Sequence, residues 1–166
     1  MSDFDVFNGD ADGICSLVQL RLSEPRSAKL VTGVKRKIDL LKEVHAKAGD
    51  RVTVLDVSME KNAEPLARIL ETGANVFYAD HHRAGDIPGH PNLDAHIDTS
   101  SEVCTALIID KLLKGAHRAW TVTAAFGDNF LESARRAAAP LDLSEDELSA
   151  LERLGTLINY LSLIHI

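Results

Sequence analysis

The chain has 166 residues, 45% of them apolar and 26% charged, the balance of a folded domain rather than of a disordered, collagen-like or low-complexity chain. Its formal net charge of -7 is the wrong sign for a long duplex-binding groove, although bound cations can invert the local sign around a short phosphorylated ligand. Cys15 and Cys104 lack CxxC spacing and imply no disulfide scaffold, the acidic start MSDFDVF lacks the basic region of a signal peptide, and no apolar run is long enough to cross a bilayer, so the expected setting is cytoplasmic.

In chain order, Phe4 to Phe7 reads as a first strand and Ile14 to Leu22 as a helix. Lys29 to Thr32 is a second strand, and Ile38 to Ala48 is expected to be a helix closed by Gly49. Arg51 to Leu55 is a third strand. Ser58 caps the helix after it and Gly73 ends that helix. Asn75 to Ala79 is a fourth strand, and the prolines and glycines between Gly85 and Pro91 make a loop. Ala95 to Ile97 is a short fifth strand, followed by a helix over Glu102 to Leu113. Residues 119 to 137 read as helical with a break at Gly127, and Ser144 with Glu147 forms a capping box for a last helix. This alternation implies an α/β fold, a Rossmann-like parallel sheet with helices on both faces. The final run, Leu161 to Ile166, is apolar and has no polar tail; it reads as a non-native or truncated tail, or else as the end of a helix docked on the core.

Ligands of parallel α/β sheets bind beyond the carboxyl ends of the strands, so the residues just after each strand are the ones to weigh. Asn8-Gly9-Asp10-Ala11-Asp12-Gly13 comes after the first, Asp56 after the third and Asp80-His81-His82 after the fourth; Asp128, in Phe126-Gly127-Asp128-Asn129, comes after another apolar run. Carboxylates gathered on one sheet edge repel unless some are protonated or cations hold them. Oxygen-rich ligands with one or two imidazoles suit Mn²⁺ or Mg²⁺, with Zn²⁺ or Co²⁺ as further options. Two such ions about 3.5–4 Å apart, bridged by a carboxylate, are suited to displacement at phosphorus. Each piece alone has a plainer reading. Asp10 to Gly13 is a helix N-cap and turn, Asp56 a turn residue before Ser58, and Asp80 to His82 a polar loop. Their recurrence at successive strand ends is what points to a site. His90 and His96 read as loop or strand-edge residues, and His45, His117 and His165 as surface or partly buried ones.

Asp10-Ala11-Asp12-Gly13, Asp56, Asp80-His81-His82 and Gly127-Asp128, in this order, resemble the four motifs of the DHH phosphoesterase family. The segment Ile97 to Ser101 resembles the family's stretch after its DHH tripeptide. That family includes single-strand exonucleases, nanoRNases, phosphatases of cyclic dinucleotides and of phosphoadenosine phosphate, exopolyphosphatases and manganese pyrophosphatases. The resemblance implies a metal-dependent phosphoesterase that hydrolyses phosphoester or phosphoanhydride bonds of a small nucleotide, a short oligonucleotide or a pyrophosphate-like substrate through a metal-activated water. It implies two Mn²⁺ ions, with Mg²⁺ or Co²⁺ as substitutes. Asp10 would bind the first and Asp12 the second, Asp56 would bridge them, and His81 and Asp128 would complete the second site. His82 would face the substrate, and Asp80 would fix an imidazole from behind.

Two departures stand out. The family's histidine four residues before the first motif aspartate is Val6 here, with Asn8 nearby, so the first metal site is expected to be weaker or to be occupied only with substrate. The family also carries a smaller C-terminal substrate domain, and none fits after Tyr160; residues 1–160 are then expected to be the catalytic domain without its lid. Other readings are a haloacid-dehalogenase-like phosphatase with Asp10 as covalent nucleophile, and a metal- or nucleotide-binding module without turnover. The most basic run, Lys35-Arg36-Lys37, is a solvated helix start or a phosphate-holding group on the ligand-bearing edge. Phe7, Tyr78 and Trp120 are the candidate base-stacking aromatics. No membrane partner is expected, and a homodimer is among the assemblies the sequence allows.

Overall fold

The computed structural model describes residues 1–34 and 37–164, the last two of these by backbone alone. Lys35 and Arg36 of the basic run, and His165 and Ile166 of the final run, lie outside the described residues. Five strands, β1 (Asp3–Asn8), β2 (Lys29–Gly33), β3 (Arg51–Leu55), β4 (Asn75–Asp80) and β5 (Leu93–Ile97), form one sheet in the order β2-β1-β3-β4-β5. Every neighbouring pair is parallel, with Val6 opposite Val31 and Val54. The chain leaves β1 in one direction to form β2 and crosses back to form β3. The strand order therefore reverses between β1 and β3, and their carboxyl ends flank the crevice where such sheets bind ligands.

Alternation along the strands sends side chains to two apolar layers. Val6, Val54, Val76 and Tyr78 face one side with Leu40, Leu66 and Ile69; the last two belong to α2 (Ala63–Glu71). Phe7, Leu55 and Ala79 face the other, against Leu17 of α1 (Ala11–Ser23) and Ile108 and Ile109 of α3 (Thr105–Leu112). A further helical layer lies outside α1 and α3. It comprises α4 (Arg118–Gly127), α5 (Leu131–Ala138) and α6 (Glu145–Ile164), joined through a cluster around Cys15, Cys104, Val122 and Phe126. Helices thus cover both faces of a parallel sheet, as the α/β pattern of the sequence implies.

The segment expected as a helix over Ile38 to Ala48 is instead loop with one 3₁₀ turn, Leu40–Glu43. The buried Asn62 side chain explains the difference. Its Nδ2 donates to Ile38 O at 2.6 Å and its Oδ1 accepts from Leu41 N at 3.2 Å, taking backbone groups that a helix would use. Val44 then turns extended, and Leu40, Leu41, Val44 and Ala46 all still reach the core. The capping box forms as expected: Ser144 N donates to Glu147 Oε2 at 2.9 Å, and Glu147 N to Ser144 Oγ at 3.3 Å. In the final run, α6 extends helically through Ile164. Among the described residues no helix is long and apolar enough to cross a membrane.

Candidate metal centre

Each carboxylate of the site is held by the local structure it ends. Asp10 is the N-cap of α1: its Oδ1 accepts from Gly13 N at 3.2 Å, and its Oδ2 from Asn8 Nδ2 at 3.2 Å. α1 starts at Ala11, earlier than Ile14, because this cap is in place. The turn reading of Asp10 is therefore correct, and it is compatible with a site because capping uses only part of a carboxylate's acceptor capacity.

Asp12, in the first turn of α1, reaches across to α3. Cys104 is the N-cap of α3 and makes no side-chain cap. Asp12 caps that helix from a distance: Oδ2 accepts from Thr105 N and Oδ1 from Ala106 N, both at 2.7 Å. A wholly buried carboxylate thus meets the positive end of a helix.

Asp56 follows β3 in the left-handed region, with φ of 56°, a conformation that Asp tolerates better than most residues. Its N–H donates to Ala79 O at 3.1 Å. This sharp turn leaves the carboxylate buried, with Thr105 Oγ1 donating to its Oδ1 at 3.3 Å. Asp80 ends β4; its Oδ1 lies 2.7 Å from His82 Nδ1, while its Oδ2 is buried with no hydrogen-bond partner among the described residues.

His81 is the centre of the cluster. Its Nε2 lies 3.4 Å from Asp56 Oδ1, 3.8 Å from Asp12 Oδ2 and 3.9 Å from Asp128 Oδ2. His82 Nδ1 lies 3.7 Å from Asp56 Oδ1. Two groups therefore place their ligand atoms within 4.8 Å of one another: Asp56, His81 and His82, and Asp12, His81 and Asp128. An imidazole nitrogen has one lone pair and serves one ion, whereas a carboxylate can serve two. His81 cannot complete both groups at once. Asp10 belongs to neither group, though its charge adds to the upward push on both Asp12 and Asp56.

The electrostatics follow from this crowding. Burial pushes Asp56 well above the ordinary carboxylate range, and the charges of Asp12, Asp10, Asp80 and Asp128 push it further. Burial raises Asp12 too, against the opposing pull of His81 and the Ala106 amide. The hydrogen bond to Asp80 raises His82, against partial burial. A cation relieves every one of the carboxylate repulsions. The donor set, oxygens with one or two imidazoles, fits Mn²⁺ or Mg²⁺ and leaves Asp80 Oδ2 free to take part.

Several positions behave otherwise than a ligand would. Val6 is fully buried in the apolar layer against α2, so no ligand comes from that position. His90 Nδ1 accepts from Asn92 N, and His96 pairs with Asp94 and packs on Phe77; neither joins the cluster. Phe7 and Tyr78 are core residues, with the Tyr78 hydroxyl donating to Val57 O at 2.6 Å, and Trp120 packs in the outer helical layer. Phe7 and Tyr78 therefore offer no open stacking face.

Three contributors are not legible as site residues in the sequence. Thr105 touches Asp56, and Phe130 packs edge-on to His81 at 5.8 Å. Asn159, on α6, accepts from Ala11 N at 2.7 Å through Oδ1 and donates through Nδ2 to Gly127 O. One amide thus ties the start of α1, which carries Asp12, to the end of α4, where Asp128 follows. The helices come close enough because Gly155 and Gly127 face each other; a Cβ on Gly127 would lie 2.5 Å from Ala11 Cβ and 2.8 Å from Gly155 O.

The fold is similar to that of solved DHH-domain proteins. A solved DHH domain protein, described as a member of the S1p family of ribosomal proteins, superposes with a TM-score of 0.68 at 12% identity, covering 97% of this chain and 47% of that one. Two others are a manganese-bound RecJ exonuclease (TM-score 0.49, 16% identity, 97% of this chain and 46% of that one) and an exopolyphosphatase-related protein from Bacteroides fragilis (0.43, 11%, 99% and 56%). The chain spans about half the length of these structures. No family profile and no curated protein matches it in sequence.

Proposed function

We propose that residues 1–160 are the catalytic domain of a metal-dependent phosphoesterase of the DHH family. The observation that carries this reading is the convergence of Asp12, Asp56, His81, His82 and Asp128 on one sheet edge, beside a strand-order reversal. The DHH-domain fold and the order of the motifs support it. When bound, Mn²⁺ or a similar ion would lower the pKa of a water and offset charge on the phosphoryl oxygens.

The residues divide the remaining work. Asp12, Asp56, His81 and Asp128 would hold the metal, with Asp56 the carboxylate able to serve two ions, and Asp10, outside both clusters, would add a ligand from the loop after β1. His82 is half-exposed at 45% and is held through Nδ1 by Asp80, which leaves Nε2 to meet a phosphoryl oxygen or donate a proton to the leaving group. The substrate is a small phosphorylated molecule or short oligonucleotide, whose phosphoester or phosphoanhydride bond is hydrolysed without a covalent enzyme intermediate.

The test is Mn²⁺-supplemented hydrolysis of a panel of phosphate esters and anhydrides in ¹⁸O water. Label should enter the released phosphate within a single turnover. Label appearing first in the Asp10 carboxylate would replace this mechanism with a covalent one. Stoichiometric Mn²⁺ binding with no turnover on any substrate would instead favour a binding module.

A further inference from the structure

A small cavity of about 130 Å³ opens beside the cluster. Asn8, Lys37, Ile38, Asp56, Ser58 and His82 are among its lining residues, and Lys37 is the only lysine or arginine there among the described residues. Lys37 is the one described member of the basic run that follows β2.

The placement of Lys37 is built into the fold. A Cβ on Gly33 would lie 2.7 Å from Lys37 Cδ and 3.0 Å from its Cβ, so the lysine stem crosses the end of β2 over bare backbone. Lys37 N–H donates to Val34 O at 2.7 Å. The buried Asn62 amide then clamps the two walls together, donating to Ile38 O at 2.6 Å and to Ser58 O at 3.0 Å. The current partner of Lys37 Nζ is Glu43, a half-exposed carboxylate (48%) that an anionic ligand can displace.

The lining is suited to an oxyanion. Lys37, released from Glu43, would supply a point charge with three donors, and a cation at the cluster would offset the Asp56 carboxylate that also lines the cavity. Asn8 Nδ2 spends one hydrogen on Asp10 and keeps another. Ser58 Oγ accepts from Lys61 N at 3.4 Å, which leaves its own hydrogen to donate. At about 130 Å³ the cavity is too small for a whole nucleotide, since ligand pockets run to about 300 Å³ and more. Asp56 and His82 belong both to this cavity and to the metal-ligating group, so an anion here abuts a phosphoryl group held at the cluster.

We infer that this cavity is a subsite for a second phosphoryl group, with Lys37 as its binding charge, and that the site favours substrates carrying adjacent phosphoryl groups, the phosphoanhydride class, over simple monoesters. The inference rests on the phosphoesterase reading and narrows it.

The test is calorimetric titration of the Mn²⁺-loaded 166-residue chain at fixed excess Mn²⁺, with imidodiphosphate, a non-hydrolysable pair of phosphoryl groups, and separately with inorganic phosphate. The wild type is expected to bind imidodiphosphate about 10-fold or more tightly than phosphate. Lys37→Met should remove that advantage while Mn²⁺ and phosphate binding stay within about 2-fold, and Lys37→Arg should restore most of it. Equal imidodiphosphate affinity in wild type and Lys37→Met would overturn the subsite while leaving the metal reading intact. Failure of the wild type to bind Mn²⁺ would overturn the metal reading, and the subsite with it.

Discussion

Asn159→Ala removes a side chain that ties the start of α1 to the end of α4. It removes the bond from Ala11 N and the bond to Gly127 O, leaving a partly buried N–H and C=O without their partner. Each hydrogen bond contributes about 1 kcal/mol net, and stranding the backbone groups adds to this, so the loss is about 2–3 kcal/mol. For a chain of this size that lowers Tm by roughly 5–10 °C. Differential scanning calorimetry in EDTA measures it without metal. Asn159→Asp keeps the acceptor for Ala11 N but sets a carboxylate oxygen against Gly127 O, so at neutral pH it should lose at least as much. Protonation of the introduced carboxyl restores a donor and is favoured in the folded state, so the deficit of this second variant should shrink as pH falls. A Tm for Asn159→Ala within about 1 °C of wild type, or an Asn159→Asp deficit that ignores pH, would refute the bridging role.

Four further outcomes are expected. Asp56→Asn removes the carboxylate that burial and four neighbouring charges hold far above its ordinary range; it should raise the metal-free Tm at neutral pH while weakening Mn²⁺ binding by about 10-fold or more, whereas Asp12→Asn, which disturbs the cap on Thr105 and Ala106, should lower that Tm by calorimetry. Because the folded-state values of Asp56 and Asp12 are raised, the metal-free protein loses stability as pH climbs from the ordinary carboxylate value of 3.8 toward them; the Tm increment given by Mn²⁺ should therefore grow with pH, and a pH-independent increment would contradict the crowding. Gly155→Ala should cost about 1–3 kcal/mol by overpacking the α4–α6 contact, since a Cβ there would lie 2.8 Å from Gly127 N, and denaturant titration reads it. Burial and the Asp12 and Asp10 charges push the Cys15 thiol up to about 12, and burial raises Cys104 as well; neither should react with a thiol reagent at neutral pH until the protein unfolds.

The strands and their carboxylate ends are legible in the sequence because both signals are local. A buried parallel strand reads as a short apolar run, and the residue after it lies at the ligand-bearing edge whatever the rest of the chain does. Asp10, Asp56 and Asp80 follow from that rule alone. Asp128 does not, since it reaches the cluster from the end of a helix in the outer layer rather than from a strand; its place after an apolar run and the motif order are what point to it. Asn159 and Thr105 carry no sequence signal, because a single amide on an amphipathic helix and a threonine at a helix start are ordinary in both positions. The loop at Ile38 to Ala48 reads as a helix for a related reason: its apolar spacing suits one, and the competing bonds come from Asn62, a residue outside any local window.

The bond between Ala11 and Asn159 spans 148 residues, which sets a schedule for the molecule as it is made. A ribosome that has released Asp128 has released every carboxylate and imidazole of the cluster, but not the side chain that fixes the start of α1 against the end of α4. Until α6 emerges, Gly127 has no Gly155 to pack on and its carbonyl lacks the Asn159 amide. If the proposed metal reading holds, ion capture would follow the arrival of α6, and a nascent chain stalled between α5 and α6 would display its acidic residues without this tie between α1 and α4.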